Sequence, residues 1–376
     1  MKILLLAPHP LLSERGSPLA TALLLKAISE LGHHQVDVLT YPEGSDLDYP
    51  GVQLERLPDF RFLRGVKPGF SVKKLALDVL MLRRCRQLCQ ERTYDVIHCL
   101  EETVYIAMWL KRVFGTPYVY DMDSSLAQQM VERFPALRLL SRLLDWCEGQ
   151  AVKHARAIVP VCPLLAQRAR KLGAKQVVVL HDITLLKGEG KKSGLKARLG
   201  AHGPLLLYVG NLEGYQGMEL MLESFARVCS EFPEARLVVA GKGSQNPLER
   251  LCRRLNIDHA VHFIGPWPME KLEELLVEGD ILLSPRIKGT NTPMKLYSYL
   301  HSGKPVLATR LPTHTQIVSE EQVALADPHP IAFAQGMRKL IIQKETGLAL
   351  GRAGRTLVEE RYTYRQFKQK VKEIYP

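Results

Sequence analysis

Two stretches in the second half of this 376-residue chain combine side chains and turns that could hold an anion. LLYVGNLEGYQG, residues 206–217, runs an apolar strand into a turn punctuated by Gly210, Gly214 and Gly217, and the helix-patterned MELMLESFARV follows. Such a turn presents unpaired backbone N–H groups and the positive end of a helix dipole, which suits a diphosphate. A glycine after a strand also serves purely steric ends, so both readings stand. The second stretch is SPRIKGTNTPMKLYSYLHSGKPVLAT, residues 284–309. A strand ends at Pro285, a polar loop with Gly289, Thr290, Asn291 and Thr292 follows, a helix starts at Pro293, and Gly303 and Pro305 stop it before the next strand. Arg286 and Lys295 then flank a second helix N-terminus at the carboxyl edge of a sheet, the edge where open α/β sheets bind ligands.

Carboxylates mark the first half. TPYVYDMDSS places Asp121, Asp123 and Ser124 at a strand end, and Glu101 and Glu102 follow the strand-like DVIHCL. Glu101 and Glu102 either bind hydroxyl groups or are solvated loop acids. His9, His98, His181 and His314 sit near strand ends or loops at spacings that fit no metal motif, and are read as mostly structural. The seven cysteines form no metal-ligand spacing and read as reduced, structural thiols of a cytosolic protein.

The elements that position these groups recur through both halves as short apolar runs, each followed by an amphipathic stretch. That alternation predicts parallel sheets with helices on both faces. Strands are expected at 2–7, 35–40, 96–100, 118–120, 157–161 and 177–180, then at 205–209, 236–240, 261–264, 281–284 and 306–308. The chain is longer than single cores usually grow, so two domains follow: 1–186, joined by a carboxyl-terminal helix at 362–376, and 204–361. Residues 187–203, rich in Gly and Lys, are expected to link them. The opening MKILLLAPHP has too short an apolar core for a secretory leader and predicts a buried strand. No apolar run reaches the length of a membrane-spanning helix.

A net charge of +12 suggests an anionic partner: a nucleotide, a lipid surface or nucleic acid. No nucleic-acid motif interleaves basic and aromatic residues, so no nucleic-acid role is expected. The basic segment 61–92 has a helical core in which Arg83, Arg84 and Arg86 flank leucines and a methionine. It is either a basic amphipathic helix lying on an anionic membrane or an ordinary helix with solvated charges. The first reading makes the chain a cytoplasmic protein that is peripheral on the membrane, with a lipid-linked acceptor or a nascent glycan.

Taken together, the strand–Gly turn at 206–217, VVAGKGS at 238–244, VHFIGPWP at 261–268 and the loop backed by GKPV resemble the family-4 glycosyltransferases of GT-B fold, over nearly the whole chain. GTNTPMKLYSYL looks like the donor loop of a bacterial subgroup. PHPLLSERGSPLA and ISELGHHQVDVLTY resemble that family's amino-terminal glycine loop and second strand, which would bring Gly16 and Ser17 to the site. The resemblance implies two Rossmann-like domains facing a central cleft, with the nucleotide on the second and the acceptor on the first. It implies a retaining, metal-independent hexosyltransferase that uses a nucleoside-diphosphate sugar as substrate and needs no cofactor. Gly210, Gly217, Lys242 and Gly265 fall in its nucleotide-binding stations.

The chain departs from the family where charge matters. An Arg and a Lys usually follow the linker, and Asn211 and Gln216 stand there instead. A pair of Glu residues in the donor loop falls on Thr290 and Ser298; a serine can bond one ribose hydroxyl but not bridge two, and neutral groups bond less strongly than ionised ones. Phosphate neutralisation is therefore assigned to Arg286 and Lys295, with Lys242 in reserve. Asp123 falls where many members place a catalytic His, and either steadies positive charge or takes the acceptor's proton there, or merely caps the next helix. Asp121–Asp123 also spells the D-x-D of the other large glycosyltransferase fold, which the doubled Rossmann pattern disfavours. Two rivals remain: an inactive GT-B-fold binding protein, motivated by the missing charges, and a sugar-nucleotide epimerase, which would want converging carboxylates and His residues absent from the donor loop.

Overall fold

The computed structural model describes residues 1–11, 16–66, 71–184, 186, 188 and 190–376. Positions 12–15 of the amino-terminal loop, 67–70 of the basic segment, and 185, 187 and 189 near the expected linker lie outside the described residues. The chain divides into two compact units, Met1–His181 with Tyr364–Pro376, and Asp182–Thr363. Each is built on a six-stranded parallel sheet.

Unit 1 contains β1 (Lys2–Ala7), β2 (Gln35–Thr40), β3 (Val52–Arg56), β4 (Val96–Leu100), β5 (Tyr118–Met122) and β6 (Ala157–Pro160), in the order β3-β2-β1-β4-β5-β6. Unit 2 contains β7 (Leu205–Val209), β8 (Arg236–Ala240), β9 (Val261–Gly265), β10 (Ile281–Ser284), β11 (Val306–Thr309) and β12 (Ala324–Ala326), in the order β12-β11-β10-β7-β8-β9. Counted within each unit, the two orders are the same. Central strands such as β1 and β7 read as unbroken apolar runs because helices cover both faces of a parallel sheet. In each sheet the first strand sits between the second and the fourth, so the winding reverses there and leaves a crevice at the carboxyl edge.

The structure departs from the sequence expectation at the sheet edges. β3 and β12 were not expected; they are edge strands, β3 with the mixed pattern VQLER that half-exposure permits and β12 only three residues long, ALA. Conversely, 177–180 forms only an isolated bridge from Val177 to Ile158. The stretch expected as a linker carries a short helix, Leu195–Arg198, whose first N–H groups are held by Glu278; Gly194 N donates to Glu278 Oε1 at 2.6 Å, and Leu195 is buried in unit 2. In the tail, the helix Tyr364–Ile374 packs in unit 1, where Lys368 Nζ bonds Glu30 at 3.0 Å and the Tyr375 hydroxyl donates to His98 Nδ1 at 2.6 Å.

The basic helix spans Val72–Glu91, capped by Ser71, whose Oγ accepts from Lys74 N at 3.2 Å. Its Leu77, Met81, Cys85 and Leu88 recur at helical spacing and are buried against the sheet. The apolar row expected to face a membrane is therefore core. Arg84 is held by Glu55 and Glu91, whereas Arg83 and Arg86 are exposed.

Candidate functional site

In unit 2, the turn after β7 meets the loop after β10. Gly217 adopts a φ of +75°, and a Cβ there would lie 1.9 Å from the Pro285 carbonyl oxygen, so a side chain would push the two segments apart. At Gly210 a Cβ would come within 2.9 Å of Lys295 Nζ, so its absence clears the space beside that amine. The helices Met218–Glu231 and Met294–His301 start from these segments, with Gly217 and Pro293 at their N-cap positions.

Arg286 is buried; its Nε donates to the Lys288 carbonyl at 2.8 Å, its Nη2 donates to Asn291 Oδ1 at 2.8 Å, and its guanidinium lies 5.2 Å from the Tyr215 ring centre. Lys295 Nζ stands 3.8 Å from the centre of the Tyr208 ring, out of solvent, with no hydrogen-bond partner among the described residues. Burial, reinforced by the Arg286 cation, pulls its pKa well below the ordinary lysine range. Thr292 Oγ1 and Gln216 Oε1 of these segments are likewise buried and without a partner among the described residues. Buried polar atoms are nearly always satisfied, at a cost of about 1–3 kcal/mol when they are not. A group of orphans on one pair of converging loops is the mark of a site whose ligand completes it.

The remaining expected residues fall around this centre. Exposed Asn211 donates through Nδ2 to the Tyr215 hydroxyl at 3.2 Å, and its carbonyl accepts from Tyr208 at 2.6 Å. The Thr290 carbonyl accepts from Gln316 Nε2 at 3.0 Å. Ser298 is buried on the helix Met294–His301. Gly265 ends β9, and its carbonyl accepts from Gly241 N at 2.8 Å. Lys242 is exposed on the loop after β8, and its carbonyl accepts from Leu212 N at 3.0 Å.

Sequence reasoning missed the support beneath Arg286. His314, fully buried, donates from Nδ1 to the Thr309 carbonyl at 2.9 Å, leaving Nε2 to accept from Ser284 Oγ at 2.8 Å. Thr309 Oγ1 in turn donates to the Arg286 carbonyl at 2.5 Å. Burial lowers the His314 pKa to about 3, with Arg286 and Lys295 adding to the effect, so the ring stays neutral in one tautomer. Likewise the Tyr299 hydroxyl accepts from Val209 N at 2.6 Å and ties the end of β7 to the donor-loop helix. The Tyr-rich run was visible in the sequence, but nothing in the spacing linked Ser284 to His314.

Unit 1 gathers the opposite charge. Asp121 accepts from His98 Nε2 at 3.2 Å. Glu101 adopts a φ of +50° and accepts from Ser124 Oγ at 2.8 Å. Glu102 pairs with Lys74 at 2.6 Å, so neither glutamate is a freely solvated loop acid. Burial and the Asp121 charge raise the Asp123 pKa to about 7, opposed by a hydrogen bond from Ser17. The capping role open to Asp123 is taken by Ser125, whose Oγ accepts from Gln128 N at 3.2 Å at the head of the helix Leu126–Arg133. Gly16 opens the helix Gly16–Ser29, one residue before Ser17.

Two family models match. Residues 15–182 match the model described as "Glycosyl transferase 4-like domain", and residues 196–357 match "Glycosyl transferases group 1". The chain is 25% identical over 311 residues to the D-inositol 3-phosphate glycosyltransferase of Corynebacterium diphtheriae, covering 76% of this chain and 71% of that one. It is 30% identical over 142 residues to the GDP-mannose-dependent alpha-(1-6)-phosphatidylinositol dimannoside mannosyltransferase of Mycobacterium tuberculosis, covering 38% of this chain and 36% of that one. Among solved structures, sucrose-phosphate synthase from Thermosynechococcus elongatus superposes with a TM-score of 0.82 at 18% identity, covering 100% of this chain and 98% of that one. Anabaena HepE in complex with UDP-glucose gives a TM-score of 0.77 at 15% identity, covering 100% and 99%. The chain is thus a glycosyltransferase of GT-B fold, of the group 1, family-4 type.

Proposed function

We propose that the chain transfers a hexose, with retention and without a metal ion, from a nucleoside-diphosphate sugar to a glycan or lipid-linked acceptor. Cell-envelope glycoconjugate synthesis at the cytoplasmic membrane face is the setting that this chemistry suits. The donor diphosphate sits on the turn after β7 and the donor loop. There Arg286 and Lys295 offset the charge that develops on the leaving group, the Thr292 hydroxyl donates to it, and the amino end of the helix Met218–Glu231 faces it, while the Gly210 and Gly217 N–H groups stay bonded to the Ala240 and Gly214 carbonyls. Asn291 holds the Arg286 fork, and Ser298, Thr290, Gly265 and Lys242 border the nucleotide. Asp123, near neutral pKa, steadies positive charge at the reacting carbon or takes the acceptor's proton.

One observation carries this reading: among the described residues Lys295 Nζ is buried without a hydrogen-bond partner beside Arg286, an arrangement that an incoming anion repairs. The names of the relatives supply the sugar-nucleotide class and the lipid-type acceptor. Calorimetry with UDP and GDP tests the reading. One of them binds the native chain, and Arg286→Ala with Lys295→Ala abolishes the binding. Unchanged donor hydrolysis in that double variant removes the phosphate assignment. Absence of binding to any nucleoside diphosphate favours the inactive binding protein, which the neutral Asn211 and Gln216 also motivate.

A further inference from the structure

The exposed apolar surface of unit 1 is confined to one side of its sheet. Right-handed crossovers from β3 to β4, β5 and β6 place the helices Val72–Glu91, Thr103–Phe114 and Ser141–His154 on the same face. Their inner residues, among them Met81, Ala107 and Val152, share one core cluster. The helices Gly16–Ser29 and Tyr364–Ile374 pack on each other, outside that layer. Among the described residues, every large apolar side chain that unit 1 exposes comes from the first layer or its connecting turns, and none from the second pair.

On the basic helix, Val72, Leu75 and Val79 form an outward row that continues into Arg83 and Arg86. The next helix exposes Tyr105, Trp109 and Val113 at fourfold spacing, beside Arg112. The densest part is Phe134 to Trp146. The turn Pro135–Leu140 contains no buried residue, Leu139 is 93% exposed, and Leu143 and Trp146 extend the row onto the following helix with Trp146 60% exposed. Arg138 and Arg142 stand within this row, no acid lies between Thr103 and Phe114, and Asp145, the single acid between Phe134 and Trp146, is paired with Arg168 at 2.6 Å. An exposed row this apolar marks a surface that something covers.

We propose that this three-helix face, centred on Leu139, Leu143 and Trp146, is a docking surface for an anionic lipid bilayer. Leucine and tryptophan enter the headgroup–acyl boundary while arginines alongside them reach the phosphates, the composition of interfacial helices. The chain carries a net charge of +12, and Arg138 and Arg142 lie within the apolar row, the complement of an anionic surface. The proposal rests on the membrane part of the proposed function and moves the contact away from the buried row of the basic helix. It is independent of the donor chemistry.

The test is flotation of the full chain with vesicles of phosphatidylcholine alone or mixed with phosphatidylglycerol, checked by tryptophan emission. Two of the three tryptophans, Trp109 and Trp146, lie on this face, so emission shifts to the blue on the mixed vesicles. The variant Leu139→Glu/Trp146→Glu, altered only at solvated positions, reduces partition by about tenfold or more. Arg138→Glu/Arg142→Glu does the same only on the phosphatidylglycerol vesicles. Circular dichroism confirms that both remain folded. If the native chain floats and the Leu139/Trp146 variant floats equally, this inference falls while the membrane reading stands. If the native chain floats with neither vesicle, both fall. A dimer in light scattering that the same variant dissociates, with no vesicle binding, overturns the proposal in favour of self-association.

Discussion

The two sheets of this chain have the same strand order and opposite chemistry at the same point of that order. Where the winding of unit 1 reverses, the carboxyl edge carries Glu101, with Asp121 and Asp123 at the end of the neighbouring β5; where unit 2 reverses, the corresponding edge carries Arg286 and Lys295. The backbone topology supplies a crevice in each, and the side chains after the strands decide what it can hold. A carboxylate group suits hydroxyls and developing positive charge, and a pair of cations suits a leaving diphosphate. Burial strains both sets, raising the Asp123 pKa and lowering that of Lys295, each toward its neutral form.

The sharpest way to break the comparison is to remove the cations of unit 2. Arg286→Ala/Lys295→Ala should lower transfer by about a thousandfold or more, since a single oxyanion donor contributes about 10²–10³. Steady-state kinetics that stay within tenfold of native would show that the charge contrast has no catalytic content. Removing the acidity in unit 1 should be milder: Asp123→Asn is expected to reduce turnover about a hundredfold. In the native chain Asp123 is protonated below about pH 7 and cannot accept a proton, so turnover rises as pH increases through that value. A pH–rate profile in which the variant keeps this limb would transfer the role to another group.

Lys295 sharpens the comparison from the other side. Burial holds the Lys295 pKa below the ordinary lysine range and a bound diphosphate raises it again, so between the two values binding takes up a proton and affinity falls as pH rises. The fall should reach up to about tenfold per pH unit. Calorimetry in buffers of different ionisation enthalpy measures the proton directly, and Lys295→Met should abolish it. The smallest expected effect comes from beneath the site. His314→Ala unpairs the buried Ser284 Oγ and leaves the Thr309 carbonyl to Leu311 N alone, and should destabilise the fold by about 2 kcal/mol in urea titration. Nucleotide affinity should weaken only a few-fold as the Arg286 backbone loosens.

Strand runs such as KILLLA and LLLYV, and the Gly-punctuated turn and polar loop of unit 2, were legible because they are local. A parallel strand covered on both faces needs continuous apolar residues, and a turn before a helix needs glycine or proline at set positions. The edge strands escaped for two reasons: half-exposed β3 loses that continuity, and β12 is too short, at three residues, to stand out. The site was legible in its loops and less so in its contacts. Arg286, Lys295 and Asp123 could be named from position, but not the orphaned Nζ, the capping by Ser125 that frees Asp123, or the His314 brace 30 residues from Ser284.

By itself, then, the amino-acid order determined the alternation of elements, and with it the paired sheets and the loops that stand at their edges. Tertiary structure alone decided which charges are buried together, and which face of a basic helix is core. It also left the apolar row around Leu139 and Trp146 in water. Backbone pattern follows from neighbours a few positions apart, whereas burial, pairing and the field at a charge depend on residues that only folding brings within a few ångströms.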